Sequence, residues 1–151
     1  MFRKVAVGGT FDRLHAGHRE LLKVAFTSGE KVLIGLTSDS IARKKGAESY
    51  EKRLAELKRF LAEEGFTEQA EIVKLEDYYG PAVSDAELEA IVVTEETLAR
   101  AKEINALRRK RGLKELEIIV VPLLLAQDGK PISSRRIRRG EIDREGMLLC
   151  V

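Results

Sequence analysis

The sequence predicts an α/β fold: an open, parallel, five-stranded sheet with helices on both faces, in one domain over residues 1–151. Three observations carry this. Five short apolar runs rich in β-branched residues recur along the chain. Between them, apolar residues repeat at helical spacing. The first run ends in Gly8-Gly9 just before a helix, where sheets of this kind bind anions.

The first run, Lys4-Val5-Ala6-Val7, reads as a buried strand. Leu21, Leu22, Val24 and Ala25 mark a helix from about Ala16 to Thr27, closed by Ser28-Gly29. Lys31–Thr37 is a second strand, and Ser38-Asp39-Ser40 caps a short helix running into Arg43-Lys44-Lys45-Gly46. Tyr50, Leu54, Leu57, Phe60 and Leu61 share one face of a helix from roughly Tyr50 to Glu64, stopped by Gly65. Glu71–Leu75 is the third strand, followed by the turn-rich stretch Glu76–Pro81. Ala90–Thr94 is the fourth, and a helix from about Glu95 to Arg111 stops at Gly112. Glu117–Val121 is the fifth, ended by Pro122. Ile132-Ser133-Ser134 leads into a last helix, about Ser134 to Arg139, and the tail from Glu141 reads as a short helix or strand.

Composition narrows the function. The chain is 44% hydrophobic and 34% charged, which is globular rather than disordered. A net charge of only +2 gives no argument for a general nucleic-acid binder. No apolar run approaches the roughly 20 residues of a membrane span, and the N-terminus enters a strand without a signal-peptide layout. The single cysteine, Cys150, excludes an internal disulfide and fits a reducing cytoplasm. Asn occurs only at 105 and Gln only at 69 and 127, among many Lys, Arg and Glu, a bias that points to heat adaptation. No long apolar stripe demands assembly, so a monomer is expected.

Ligands of parallel sheets bind beyond the carboxyl ends of the strands. Gly8–His18, Thr94-Glu95 and Ile132-Ser133-Ser134 all follow strands and are expected to meet at one cleft. Gly8 and Gly9 let the backbone turn and approach a ligand. Thr10 adds a hydroxyl, and Gly17 permits close approach at the helix N-terminus. His15 and His18, three apart, face the same way and each offers a hydrogen bond to a phosphate oxygen. The loop is neither a Walker A loop nor GxGxxG. A His-x-x-His pair also serves metals, but no third histidine exists and the cysteine is at the far terminus.

His15-Ala16-Gly17-His18 resembles the signature of the HxGH nucleotidyltransferase superfamily, and Ile132-Ser133-Ser134-Arg135-Arg136-Ile137-Arg138 resembles its C-terminal signature. Arg135 stands where that superfamily often has Ser or Thr. Gly9–His15, Tyr50-Glu51-x-Arg53, Asp77-x-Tyr79-Gly80-Pro81, Val92–Thr97 and Asn105-x-x-Arg108 are similar to landmarks of the archaeal phosphopantetheine adenylyltransferase family, over nearly the whole chain. The resemblance implies a single-domain Rossmann-like nucleotidyltransferase fold with strand order 3-2-1-4-5. It implies transfer of AMP from ATP to 4′-phosphopantetheine, giving dephospho-coenzyme A and pyrophosphate by direct in-line displacement, with dephospho-coenzyme A or coenzyme A as product-type ligands.

By the same resemblance, His18 stabilises the transition state at the α-phosphate and His15 contacts the ATP phosphates. Thr10 and Phe11 lie between the nucleotide and the acceptor phosphate. Lys44 or Lys45 binds that phosphate, although a solvated charged turn accounts for both equally. Ser133 and Ser134 hold the β- and γ-phosphates beside Ile132 and Arg135. The Arg135–Arg139 cluster lacks the aromatic interleaving of a nucleic-acid patch. Arg108 and Arg100 are further phosphate candidates, while Glu95, Glu96 and Thr97 either contact the adenosine or cap their helix. Asp12 orients the loop or water around magnesium; no carboxylate cage is visible, so Mg2+ arrives with ATP. A phosphate nucleophile needs positioning and charge stabilisation rather than a general base. The rival readings are a transferase forming FAD, NAD or a CDP-alcohol, and a non-catalytic nucleotide-binding module.

Overall fold

A computed structural model describes residues 1–149; Cys150 lies outside the described residues. The strands are β1 (Phe2–Gly9), β2 (Gly29–Thr37), β3 (Ala70–Leu75), β4 (Ala90–Val93) and β5 (Glu117–Val120). The helices are α1 (Ala16–Ser28), α2 (Asp39–Ala42), α3 (Tyr50–Glu64), α4 (Leu98–Lys110) and α5 (Ser134–Arg138). All pairings are parallel, in the order β3-β2-β1-β4-β5. That is the expected order, and its reversal point lies between β1 and β4.

Both faces of the sheet are buried because successive strand residues point to opposite sides and both sides are apolar. Val5, Val7, Val32, Ile34, Ala90 and Val92 pack beneath Leu22 and Ala25 of α1 and Leu57 and Leu61 of α3. Ala6, Leu33, Ile91 and Val93 pack against Ala101 and Ile104 of α4. Each large apolar side chain buried this way contributes about 1.5–3 kcal/mol before entropy is counted. No helix among the described residues is long and apolar enough to cross a membrane.

The differences from expectation are local. β1 runs through Gly8 and Gly9, so the glycines are strand residues and not the turn. Left-handed backbone falls instead on Phe11 and Arg13, each at φ 48°. α4 starts at Leu98 rather than near Glu95, because Thr94–Thr97 closes a turn of its own: Thr97 N–H donates to Thr94 O (3.1 Å) and Thr94 N–H to Thr97 Oγ1 (3.2 Å). The tail forms an isolated antiparallel bridge, Ile142 to Leu148.

Candidate active site

One cleft of about 570 Å³ opens at the carboxyl ends of the strands, lined by Gly8 and Gly9 (β1), Thr37 (β2), Leu75 (β3), Val93 and Thr94 (β4) and Val121 (past β5). Three patches separated in sequence meet there as expected: the loop after β1, Thr94, and Ile132-Ser133-Ser134 with Arg135. The glycines keep the floor open. A Cβ on Gly9 would meet the Phe11 ring at 3.4 Å, and one on Gly8 would meet Gly35 O at 3.6 Å.

The loop Thr10–Leu14 is held from behind. Phe11 is 2% exposed and sets its ring edgewise on His18, centroids 5.4 Å apart. It is thus a support under His18 in a conformation that bulky residues avoid. Asp12 is buried: Oδ1 accepts from Glu48 N–H (2.9 Å) and Oδ2 from Arg13 (2.6 Å). It therefore orients the loop.

His15 is the N-cap of α1. Its Nδ1 accepts from the N–H groups of Gly17 (3.1 Å) and His18 (3.3 Å), and His18 Nδ1 accepts from His15 N–H (3.3 Å). The two rings stack at 3.6 Å. A capping box of two histidines fixes their chemistry. A ring nitrogen that accepts from N–H carries no proton, so both neutral rings hold hydrogen on Nε2 and both are donors. Burial, then Arg19 and Arg144, push His15 down to about 4, against a weaker pull from Asp12. Burial, then His15 and Arg19, hold His18 well below its ordinary value. Gly17 lets the His15 ring lie close over the start of α1: a Cβ there would sit 3.0 Å from His15 Cε1 and push the ring back.

The opposite wall is α5. Ser133 Oγ accepts from Arg136 N–H (3.2 Å), leaving its hydrogen free, whereas Ser134 Oγ donates to Asp12 O (2.6 Å) and clamps the two walls together. Of the basic cluster, Arg135 and Arg138 line the cleft. Arg136 does not; it is paired with Asp128 and with Glu141. Arg138 reaches across to Gly46 O (3.3 Å).

The structure corrects three expectations. Lys45, not Lys44, lines the cleft, where its Nζ lies 5.5 Å from the Tyr78 ring centre. Thr94, Glu96 and Thr97 line it, but Glu95 does not. Arg108 is 1% exposed and bonded to Lys114 O, Ala82 O and Asp85 O, at the amino ends of β4 and β5. Its neighbour in that motif, Asn105, bonds both ways to the Leu116 backbone and is equally structural. Arg100 does line the cleft, stacked 3.8 Å over Tyr78.

Sequence reasoning missed Arg53 and Thr37. Arg53 Nη1 donates to Thr37 O (2.8 Å) and Thr10 O (3.0 Å), and Nε to Glu48 O (2.8 Å). Its signal was a charge on the apolar face of α3, in line with Leu57, Phe60 and Leu61. Among the described residues no group of three His, Cys, Asp or Glu side chains is placed to hold a metal.

Comparison with known proteins adds the relatives. The family model of cytidylyltransferase-like proteins matches residues 6–140. A phosphopantetheine adenylyltransferase of Methanopyrus kandleri is 54% identical, covering 94% of this chain and 92% of its own. The Methanothermobacter thermautotrophicus protein of the same name is 50% identical, covering 96% and 88%. A crystal structure of an Archaeoglobus fulgidus protein of unknown function superposes with a TM-score of 0.72 at 37% identity, over 78% of this chain and 88% of that one.

Proposed function

The chain belongs to the cytidylyltransferase-like family, and from that membership we propose that it transfers the adenylyl group of ATP to 4′-phosphopantetheine, giving dephospho-coenzyme A and pyrophosphate. The reaction class rests on one observation: two neutral histidine donors face Ser133, Arg135 and Arg138 across a single cleft. The acceptor follows from the relatives, which carry this activity in their names at 54% and 50% identity over nearly their whole length.

Each residue has a part. His18 Nε2–H donates to the α-phosphate as charge grows there, and His15 Nε2–H donates beside it. Ser133, Ser134 and Arg135 border the β- and γ-phosphates, with Ile132 packed beneath and Arg138 at the rim. Gly8, Gly9 and Gly17 leave room for the nucleotide, and Thr94 borders the adenosine. Thr10 and Lys45 take the acceptor phosphate, which attacks in line without a base because it is already anionic at neutral pH. Nucleotidyl transfer generally uses a divalent metal with ATP. A magnesium ion carried on the ATP phosphates would offset their charge, as no three His, Cys, Asp or Glu side chains among the described residues are grouped to hold one. The enzyme works in the cytoplasm as a monomer; light scattering tests the second point, because Leu125, Met147 and Leu148 are exposed.

Pyrophosphate release from ATP is the test, with 4′-phosphopantetheine, FMN, nicotinamide mononucleotide or glycerol phosphate supplied separately. Turnover with 4′-phosphopantetheine alone is expected. Turnover only with another acceptor reassigns the enzyme, and ATP binding without turnover makes it a nucleotide-binding module.

A further inference from the structure

Behind the loop after β1 a row of polar side chains runs from the buried Arg53 to the cleft. Arg53 is 1% exposed, and its guanidinium sits beneath the carboxyl ends of β1 and β2. Besides the two carbonyls, Nη1 reaches Thr37 Oγ1 at 3.5 Å, and Thr37 Oγ1 lies 3.0 Å from Thr10 Oγ1. Thr37 is 2% exposed and cannot touch bulk solvent.

A guanidinium only donates. The two hydrogens of Arg53 Nη1 serve Thr37 O and Thr10 O, so Thr37 Oγ1, 3.5 Å away, faces the cation at longer range. A cation favours oxygen lone pairs on its own side, which turns the Thr37 hydrogen away from Arg53 and toward Thr10 Oγ1, 3.0 Å away. Thr10 Oγ1 is then already an acceptor, and its hydrogen is left to point into the cleft, which Thr10 lines. Without the row, the Thr10 hydroxyl rotates freely and would accept from Thr37 or donate to it with equal ease. The same Nη1 holds Thr10 O just before Phe11, whose left-handed φ of 48° needs an external restraint.

We propose that Arg53 and Thr37 are positioning residues of the reaction: the Arg53 guanidinium orients a hydroxyl relay, Thr37 to Thr10, that presents the Thr10 hydroxyl hydrogen to the incoming acceptor phosphate. This rests on the reading above that Thr10 meets that phosphate. The relay acts on the acceptor side only, since the ATP phosphates face α5 and the histidines.

Thr37→Val is the cleanest test, because it removes the middle hydroxyl at constant shape and keeps the Arg53 carbonyl bonds. Steady-state kinetics are measured for wild type, Thr37→Val, Thr10→Val and the double variant, with thermal melting to check folding. Thr37→Val is expected to lower kcat/KM for 4′-phosphopantetheine about threefold with the KM for ATP unchanged, the cost of leaving the Thr10 hydroxyl to choose among three staggered wells. The double variant is expected to be no worse than Thr10→Val alone, because both cut one relay. Arg53→Lys keeps the charge but not the fork, and is expected to resemble Thr37→Val. Full activity in Thr37→Val, or losses that simply add in the double variant, would overturn the relay while leaving the activity in place. A wild type that binds ATP yet turns over no acceptor would overturn both.

Discussion

Arg53 and Arg108 are both 1% exposed, and each donates to three backbone carbonyls. Arg53 ties Thr10, Thr37 and Glu48 at the carboxyl ends of the strands, where the loops carry the cleft. Arg108 ties Ala82, Asp85 and Lys114 at the amino ends, where the loops only reverse the chain. The two side chains satisfy similar groups at similar burial. Their consequences differ because a parallel sheet gathers its ligand-binding loops at one end. Arg108, in a run of basic residues, looked like a phosphate ligand; Arg53 looked like a landmark. Their locations in the fold reverse both impressions.

The comparison can be sharpened first at the cleft end. His18→Ala is expected to lower kcat at least about 100-fold, the cost of losing one donor to a charged transition state, while staying folded with Tm lowered by only a few degrees for the lost capping-box acceptor. Full-rate turnover by this variant would remove the catalytic meaning of the cleft end altogether.

Arg108→Met probes the other end. It leaves the carbonyls of Ala82, Asp85 and Lys114 without their donor and is expected to cost about 3 kcal/mol, or roughly 10 °C in Tm, with kcat of the folded enzyme unchanged. A fall in kcat without a fall in Tm would break the distinction between the two arginines.

Acid separates the ends by titration. His15 holds a folded value of about 4 against 6.5 when unfolded, so between those limits the unfolded chain binds the extra proton. Its contribution is complete above pH 6.5 and is lost as pH falls through about 4, roughly 3 kcal/mol in all. At the far end, burial pushes Asp85 up, but hydrogen bonds from Lys4 and the Glu87 backbone outweigh it and hold the carboxyl below 3.8. That contribution is present above 3.8 and is lost only at lower pH. Urea midpoints are therefore expected to fall between pH 7 and pH 4 in wild type. A midpoint flat over that range would contradict the buried, neutral capping box.

The smallest expected effect distinguishes two adjacent lysines. Lys45→Ala is expected to raise the KM for the acceptor about tenfold, and Lys44→Ala to leave it within twofold. Equal effects would mean that the turn acts as a diffuse positive charge and not through one side chain.

Much of this was legible along the chain. The strand pattern, the helices and the meeting of three patches at one cleft all follow from periodicity and from the rules of parallel sheets. The two signatures around His15–His18 and Ile132–Arg138 named the walls of the site. Less legible was the turn itself. Two glycines suggested it, but β1 holds them extended, and Phe11 and Arg13 take the left-handed backbone because Arg53, bonded to Thr10 O, and the Glu48 N–H, bonded to Asp12, restrain the loop from outside it.

Sequence by itself determined the order of elements and the residue types at the cleft, because apolar spacing and donor chemistry are properties of the chain; the reaction class came through the resemblance of its two signatures to a known family. Only the tertiary structure decided which of two lysines faces the cleft, which arginine is buried at which end, and which nitrogen of each histidine carries its hydrogen. Those outcomes depend on which carbonyls, N–H groups and hydroxyls folding brings within about 3 Å, across separations such as the 122 residues between Asp12 and Ser134.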